Sequence, residues 1–360
     1  MKPSLLHGLA VRLGRRLPPL ARLHDERNAL QQTAAACGRE LDERAAEAMK
    51  LRSELQRLQE QLDACDSDRT MLRRDLGHLQ EQLAEVTARH AQGCLVELDY
   101  PYTPKVREWD RSPGGNFCRR LIAEGTERYR ARLASVLAYK SAFAAIARDE
   151  PADGREPFWS NPWFPVLDAI CLSGLVADIN PRRYVEVGSG NSTKFVRRAI
   201  ADHGLRTRVI SIDPHPRAVV EDLCDEVIRK RLEDCDLSIF AELGPDDLVF
   251  IDNSHRSFQN SDVTVVFTEV LPLLKPGCRY GIHDIFLPND YPEEWFSRAY
   301  SEQYLLMAYL LGGAGGDQIV LPVHYVQQTP ELLAILDPIM RDPALHGTPP
   351  LGGAFWMAKA

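Results

Sequence analysis

No apolar run in this 360-residue chain approaches the roughly 20 residues that a membrane span requires, so no transmembrane segment is expected. The N-terminus lacks a continuous apolar core and a cleavage site, and does not read as a secretory signal. The eight cysteines, at 37, 65, 94, 118, 171, 224, 235 and 278, form no CxxC pair and no zinc-site spacing. They read as reduced thiols, and the chain as cytoplasmic. A net charge of −8 gives no general affinity for nucleic acid. Acids are missing from the first 22 residues, which hold Lys2, Arg12, Arg15, Arg16 and Arg22 beside leucines at helical spacing. Residues 1–22 read as a frayed basic helix start, in preference to a membrane-surface helix making peripheral contact.

Proline is absent between Pro19 and Pro101, and in that window apolar residues recur in alternating steps of four and three. Leu51, Leu55, Leu58, Leu62 and Cys65 are followed by Leu72, Leu76, Leu79, Leu83 and Val86, and Arg69 breaks the seam. This heptad pattern predicts a coiled coil over 23–92. So narrow a stripe cannot bury itself on one helix, so a homodimer is expected; if parallel, it would pair Glu47 with Arg52 and Asp68 with Arg73 across chains, both of favourable sign. The alternative is a helix folded back on its own globular domain. Residues 93–165 then read as a linker and helical cap: Pro101, Pro104 and Pro113–Gly115, a helix over 116–148, and a Pro/Gly-rich patch at 151–165 carrying Trp159, Trp163 and Phe164.

From 184 onward strand and helix patterns alternate, predicting over 166–360 an α/β fold, a doubly wound sheet with helices on both faces. Strands are expected near 183–187, 208–212, 226–229, 247–252, 279–283, 317–323 and 354–359. Helices are expected near 192–203, 216–223, 236–242, 261–274, 296–311 and 330–340. The most telling stretch is Tyr184-Val185-Glu186-Val187-Gly188-Ser189-Gly190-Asn191-Ser192, a buried strand ending in an acid and a glycine turn. Small residues there admit a ligand close to the backbone, and the following helix start offers free N–H groups. No Gly-Lys-Ser/Thr ending makes it a P-loop, and Thr193 stands where a dinucleotide fingerprint wants its third glycine. An acid beside the turn suits a ligand with an amine or positive charge. Asp213 closes a second apolar strand 23 residues after Gly190, near the spacing of a ribose-gripping carboxylate.

Two further strands end in ionisable residues: Asp247–Ile251 runs into Asp252-Asn253-Ser254-His255, and Arg279–Ile282 into His283-Asp284. Neighbouring strands would gather Asp252, His255, His283 and Asp284 at one mouth. A purely structural hydrogen-bonded cluster is the alternative. Two carboxylates and an imidazole are a donor set for a divalent cation.

The acid, glycine turn and second-strand acid resemble class I S-adenosylmethionine-dependent methyltransferases, with a Rossmann-like sheet and a final antiparallel hairpin. The Asp-x-x-His further resembles the metal-dependent sugar O-methyltransferases and the related cephalosporin-hydroxylase-like group. The resemblance covers roughly 155–360. It implies S-adenosylmethionine bound by Glu186, Gly188, Ser189, Gly190, Asn191, Ser192 and Asp213. It also implies His255 as catalytic base and a cation held by Asp252, His283 and Asp284. His283 stands where that group has an acid, which shifts the expected metal from magnesium toward manganese or iron, or toward none. The implied substrate is a small molecule or glycan hydroxyl, with Tyr291 or Trp295 as a sugar platform and Glu233 or Asp234 near the adenine. The rival readings are a non-catalytic coiled-coil scaffold and a metal-independent methyltransferase acting on a small acceptor.

Overall fold

The computed structural model describes residues 18–93, 95–96, 98–216 and 221–360. It falls into two units, Met1–Tyr102 and Thr103–Ala360. In the first, a single helix runs from Pro18 to Ala91, 74 residues and about 110 Å long at 1.5 Å per residue. Its seam leucines are more than half exposed. The basic segment expected over 1–22 lies outside the described residues as far as 17, and its remainder begins this helix.

The second unit is built on a seven-stranded sheet of order β3-β2-β1-β4-β5-β7-β6. The strands are β1 (Arg183–Val187), β2 (Arg208–Ile212), β3 (Glu226–Ile228), β4 (Asp247–Ile251), β5 (Arg279–Ile282), β6 (Gln318–Pro322) and β7 (Phe355–Ala358). The first five are parallel, and β7 runs antiparallel between β5 and β6. All seven expected strands are present. Their near-continuous burial, as in Leu248-Val249-Phe250-Ile251, follows from helices on both faces. Bidentate Arg183–Asp247 bonds at 3.1 and 3.0 Å tie the starts of β1 and β4. The glycine of β5 has a packing cause: a Cβ on Gly281 would lie 2.6 Å from the Trp356 ring, itself stacked on Phe250 at 5.3 Å.

The helix expected over 116–148 is three pieces, Pro113–Ala123, Thr126–Val136 and Lys140–Ala144. The break after Ala123 falls at Gly125, over which Tyr129 folds to donate to the Ile122 carbonyl at 2.8 Å. Tyr129, Leu133 and Val136 lie on one face and are fully buried, and Val136 packs on Gly174 of the helix Val166–Ile179. The cap therefore shares the core of the sheet within the unit Thr103–Ala360. Of the helix expected over 216–223, residues 217–220 lie outside the described residues and 221–223 form a turn. The helix Val323–Gln328 is additional to those expected.

Strand order reverses between β1 and β4, which opens a crevice at their carboxyl ends. The residue immediately after each of β1, β2, β4 and β5 continues the ladder. Gly188 N–H donates to Ile212 O at 2.9 Å, Asp213 to Ile228 O at 3.1 Å, Asp252 to Val187 O at 2.8 Å and His283 to Ile251 O at 2.9 Å. The sheet itself thus sets four of the expected site residues in one row.

Candidate active site

A cavity of about 480 Å³ lies along this row, within the ordinary range for small-molecule sites. One end is lined by Asp213, His215, Leu232 and Glu233, the middle by Gly188, Ser189 and Asn253, and the other end by Asp252, His255, His283 and Asp284. Gly188 has φ +80°, and a Cβ there would lie 1.8 Å from the Asp252 carbonyl oxygen. The turn exists because no side chain intervenes between β1 and β4. The Asp213 carboxylate accepts from Ser189 N–H and His215 N–H, each at 2.7 Å. Held so, it presents free lone pairs to a diol in the cavity. Asp234 is not among the lining residues.

The structure divides the other cofactor candidates. Gly190, Asn191 and Ser192 line an adjoining cavity of about 420 Å³, which shares Ser189, Trp163 and Asp252 with the first. Glu186 lines neither cavity. Its carboxylate lies beneath the turn, fully buried, and accepts from Tyr184 Oη at 2.8 Å and from Thr193 Oγ1. Alternation along β1 turns residue 186 into the layer under the helix Asn191–His203, so it supports the turn rather than facing the cavity. Burial pushes its carboxyl up to about 7, against hydrogen bonds from Ser192, Thr193 and Tyr184 that favour ionisation. The folded chain therefore holds this proton where the unfolded chain has lost it, and stability falls as pH rises from about 4.5 to about 7. Glu186→Gln removes that slope. Relative to the variant, the native chain is expected to lose up to about 3 kcal/mol across this window in urea titrations. A difference flat in pH refutes the assignment.

At the far end, both histidines are buried and each is gripped on two sides. His255 Nδ1 donates to Glu302 Oε2 at 2.8 Å, while Nε2 lies 3.3 Å from Asp252 Oδ1 and 3.5 Å from Asp284 Oδ2. His283 Nε2 meets Asp168 Oδ2 at 3.2 Å, while Nδ1 lies 3.1 Å from Asp252 Oδ1 and 3.6 Å from Asp284 Oδ1. Burial alone would lower both imidazole pKa values. The carboxylates of Asp252, Glu302 and Asp284 overcome it at His255, and those of Asp284, Asp252 and Asp168 at His283, so both are raised well above the usual value. Burial likewise opposes ionisation of Asp252, but His283 and His255 hold its pKa well below the usual carboxylate range.

His255 and Asp284 have φ +59° and +55°, a left-handed backbone that side chains tolerate poorly and that concentrates at functional sites. The His255 turn is pinned from the far side: its carbonyl accepts Ser301 N–H at 2.8 Å and Glu302 N–H at 3.2 Å. Asp168 is fixed by Gly353 N–H at 2.7 Å and Ala354 N–H at 2.8 Å.

Sequence reasoning missed Glu302 and Asp168. Asp168 did carry a signal, an acid inside the apolar run Val166-Leu167-Asp168-Ala169-Ile170. Glu302 reads as an ordinary acid in a first helical turn. Of the aromatic loop, Trp295 lines the cavity with Arg298 lying 3.9 Å over its ring, and Tyr300 lies 4.7 Å from the His255 ring. Tyr291 is buried against Phe286 and lines no part of this cavity, because its ring fills the space under the loop.

The donor set fits a cation. Four carboxylates (Asp168, Asp252, Asp284 and Glu302) face two imidazoles, so negative charge is in excess even with both imidazoles protonated. Asp252, His255 and His283 each offer a ligand atom, all within 4.8 Å of one another. The cavity fits S-adenosylmethionine in kind: a carboxylate for a diol, a glycine turn for close approach, and an acidic end for a sulfonium.

Residues 185–285 match the family model described as a methyltransferase domain. The matched stretch lies within the second unit and runs from β1 through the residues that follow β5. No curated protein matches the chain. Among solved structures, the chain is similar to the O-methyltransferase TomG from Streptomyces achromogenes, in complex with SAM. Identity there is 20% over 41% of this chain and 69% of that one, with TM-score 0.29. It is also similar to an O-methyltransferase from Bacillus cereus in complex with SAH (18%, 63% and 90%, TM-score 0.32). A third is the mycinamycin-pathway methyltransferase MycE with Mg, SAH and mycinamycin VI (21%, 42% and 47%, TM-score 0.29). Among the described residues, no helix is long and apolar enough to cross a membrane.

Proposed function

We propose that this protein transfers a methyl group from S-adenosylmethionine to an oxygen of a saccharide or other glycan-precursor hydroxyl, with His255 as general base. The observation that carries the reading is the buried Glu302–His255 pair, which engages Nδ1 and leaves Nε2 beside Asp252 and Asp284, with His255, Asp252 and Asp284 all lining the cavity. S-adenosylmethionine supplies an electrophilic methyl group when bound. Asp213 and the Gly188 turn would hold its nucleoside end, and the acidic row its sulfonium end. In its deprotonated form, populated above its raised pKa, His255 Nε2 would take the acceptor hydroxyl proton, with Glu302 stabilising the resulting imidazolium and the acceptor oxygen left ready for methylation. Asp252, His283 and Asp284 would hold a divalent cation, which would polarise the acceptor hydroxyl. Trp295, Tyr300 and Trp163 supply apolar faces suited to a sugar ring. The long helix pairs with a second copy of the chain.

The shared facing of His255 Nε2 and His283 Nδ1 toward Asp252 supports a second reading, in which His255 is itself a ligand. Calorimetry with S-adenosylmethionine, with and without Mg²⁺ or Mn²⁺, tests the core claim, and absence of cofactor binding overturns it. Methyl transfer to a panel of nucleotide sugars and oligosaccharides tests the acceptor. Chelation is expected to lower turnover at least tenfold, with manganese restoring it better than magnesium because an imidazole replaces an oxygen donor. Undiminished turnover in chelator refutes the cation.

A further inference from the structure

We infer that the rod pairs with its second copy in one defined way: parallel, in register, with Cys65 of one copy against Cys65 of the other. The inference rests on the pairing proposed above and adds its orientation and register.

The leucine seam of the helix Pro18–Ala91 is solvent-exposed along its length, and a helix this long gains little from exposed polar faces alone. With Leu55, Leu62, Leu76 and Leu83 at the first core position of each heptad, Leu51, Leu58, Cys65, Leu72 and Leu79 occupy the second. The two flanks of this seam differ in charge. One carries Glu40, Glu47, Glu54, Asp68 and Asp75, with no base between them at that heptad position. The other carries Arg52 and Arg73, with Asp66 its one acid over that span.

Parallel pairing lays the acidic flank of one copy along the basic flank of the other, bringing Glu47 to Arg52 and Asp68 to Arg73. Antiparallel pairing lays the acidic flank against itself in every overlap. Like charges across a seam are destabilising, so orientation follows from the charge pattern.

Arg69 sets the register. It occupies a first core position and is paired on its own helix with Asp66 at 2.9 Å. In register, both Arg69 side chains share one layer, flanked by Asp66 and Asp68 of each copy, and their stems can run outward to water. A slip of one heptad would bury each arginine against a leucine layer instead, at twice the number of disrupted layers. A single polar core position is an established register device in paired helices. In-register pairing stacks the second core positions on themselves, which places Cys65 on Cys65 and Cys37 on Cys37. Both are exposed and free in the single chain.

The test is oxidation of the full-length chain with diamide, followed by peptide mapping of the crosslinks, with light scattering on the reduced protein. A dimer with Cys65–Cys65 and Cys37–Cys37 links and no Cys37–Cys65 link is expected. Cys65→Ser is expected to remove the first link and leave the dimer intact. The pair Leu58→Asp with Leu79→Asp is expected to give a monomer. A dimer whose cysteines link 37 to 65, or fail to self-link, refutes the geometry while sparing the pairing. A monomer, a trimer, or a dimer that survives the double aspartate substitution refutes the pairing itself.

Discussion

Replacing His255 by Ala is expected to lower kcat by about 10²- to 10⁴-fold, the usual worth of a positioned proton acceptor. The substitution leaves the nucleoside end of the cavity untouched, so affinity for S-adenosylmethionine is expected to stay within a few-fold in calorimetry. Glu302 acts through the imidazole. Its bond to Nδ1 fixes the tautomer that exposes Nε2, and its carboxylate stabilises the protonated ring. Glu302→Gln is therefore expected to reduce kcat by less than the alanine change at 255 and to shift the acidic limb of its pH profile downward, since a counter-charge to the imidazolium is lost. A purely structural Glu302 would leave that limb in place. The ligand reading of His255 makes a different forecast: Mn²⁺ affinity falls with His255→Ala in the absence of any substrate. An H255A enzyme that keeps near-native turnover removes the imidazole from the chemistry altogether.

The second large effect is expected at Gly188. The left-handed φ costs an L-residue about 1–2 kcal/mol, and the new Cβ would also overlap the Asp252 carbonyl oxygen. Relief requires β1 and β4 to part at their carboxyl ends, where the cofactor turn and the acidic row meet. Gly188→Ala is expected to destabilise the second unit by about 2–3 kcal/mol in denaturant titration and to weaken S-adenosylmethionine binding more than tenfold. Gly190 is the control. Its φ is −179°, and a Cβ there meets nothing within 4 Å. Gly190→Ala is expected to fold normally. Equal losses at the two positions would show that flexibility of the whole turn, rather than the approach of residue 188 to β4, is what binding requires.

The architecture was legible because its signals are local and repeated. Apolar runs such as Val209-Ile210-Ser211-Ile212 give strands, and the heptad gives the rod. The residues that close strands were legible as site residues for the same reason, because parallel strands deliver their carboxyl ends to one edge. Glu186 lies under the turn instead of in the cavity wall because pleat alternation turns its side chain to a face of the sheet. Glu302 and Asp168 lie 47 residues after His255 and 115 before His283. Such pairings depend on how distant helices pack, and no periodicity records that. The division of the cap helix at Gly125 was hidden because Arg- and Ala-rich composition favours helix on both sides of the break.

The four residues that directly follow β1, β2, β4 and β5 take their positions from backbone bonds to the adjoining strand. Anchorage of that sort is indifferent to what the connecting segments look like further out. Residues 287–297 could be exchanged for the equivalent stretch of another protein while Gly188, Asp213, Asp252 and His283 stayed where they are, provided that the segment from Arg298 to Glu302 that pins His255 is kept. Such chimaeras offer a direct route to new acceptors, with the catalytic edge inherited unchanged.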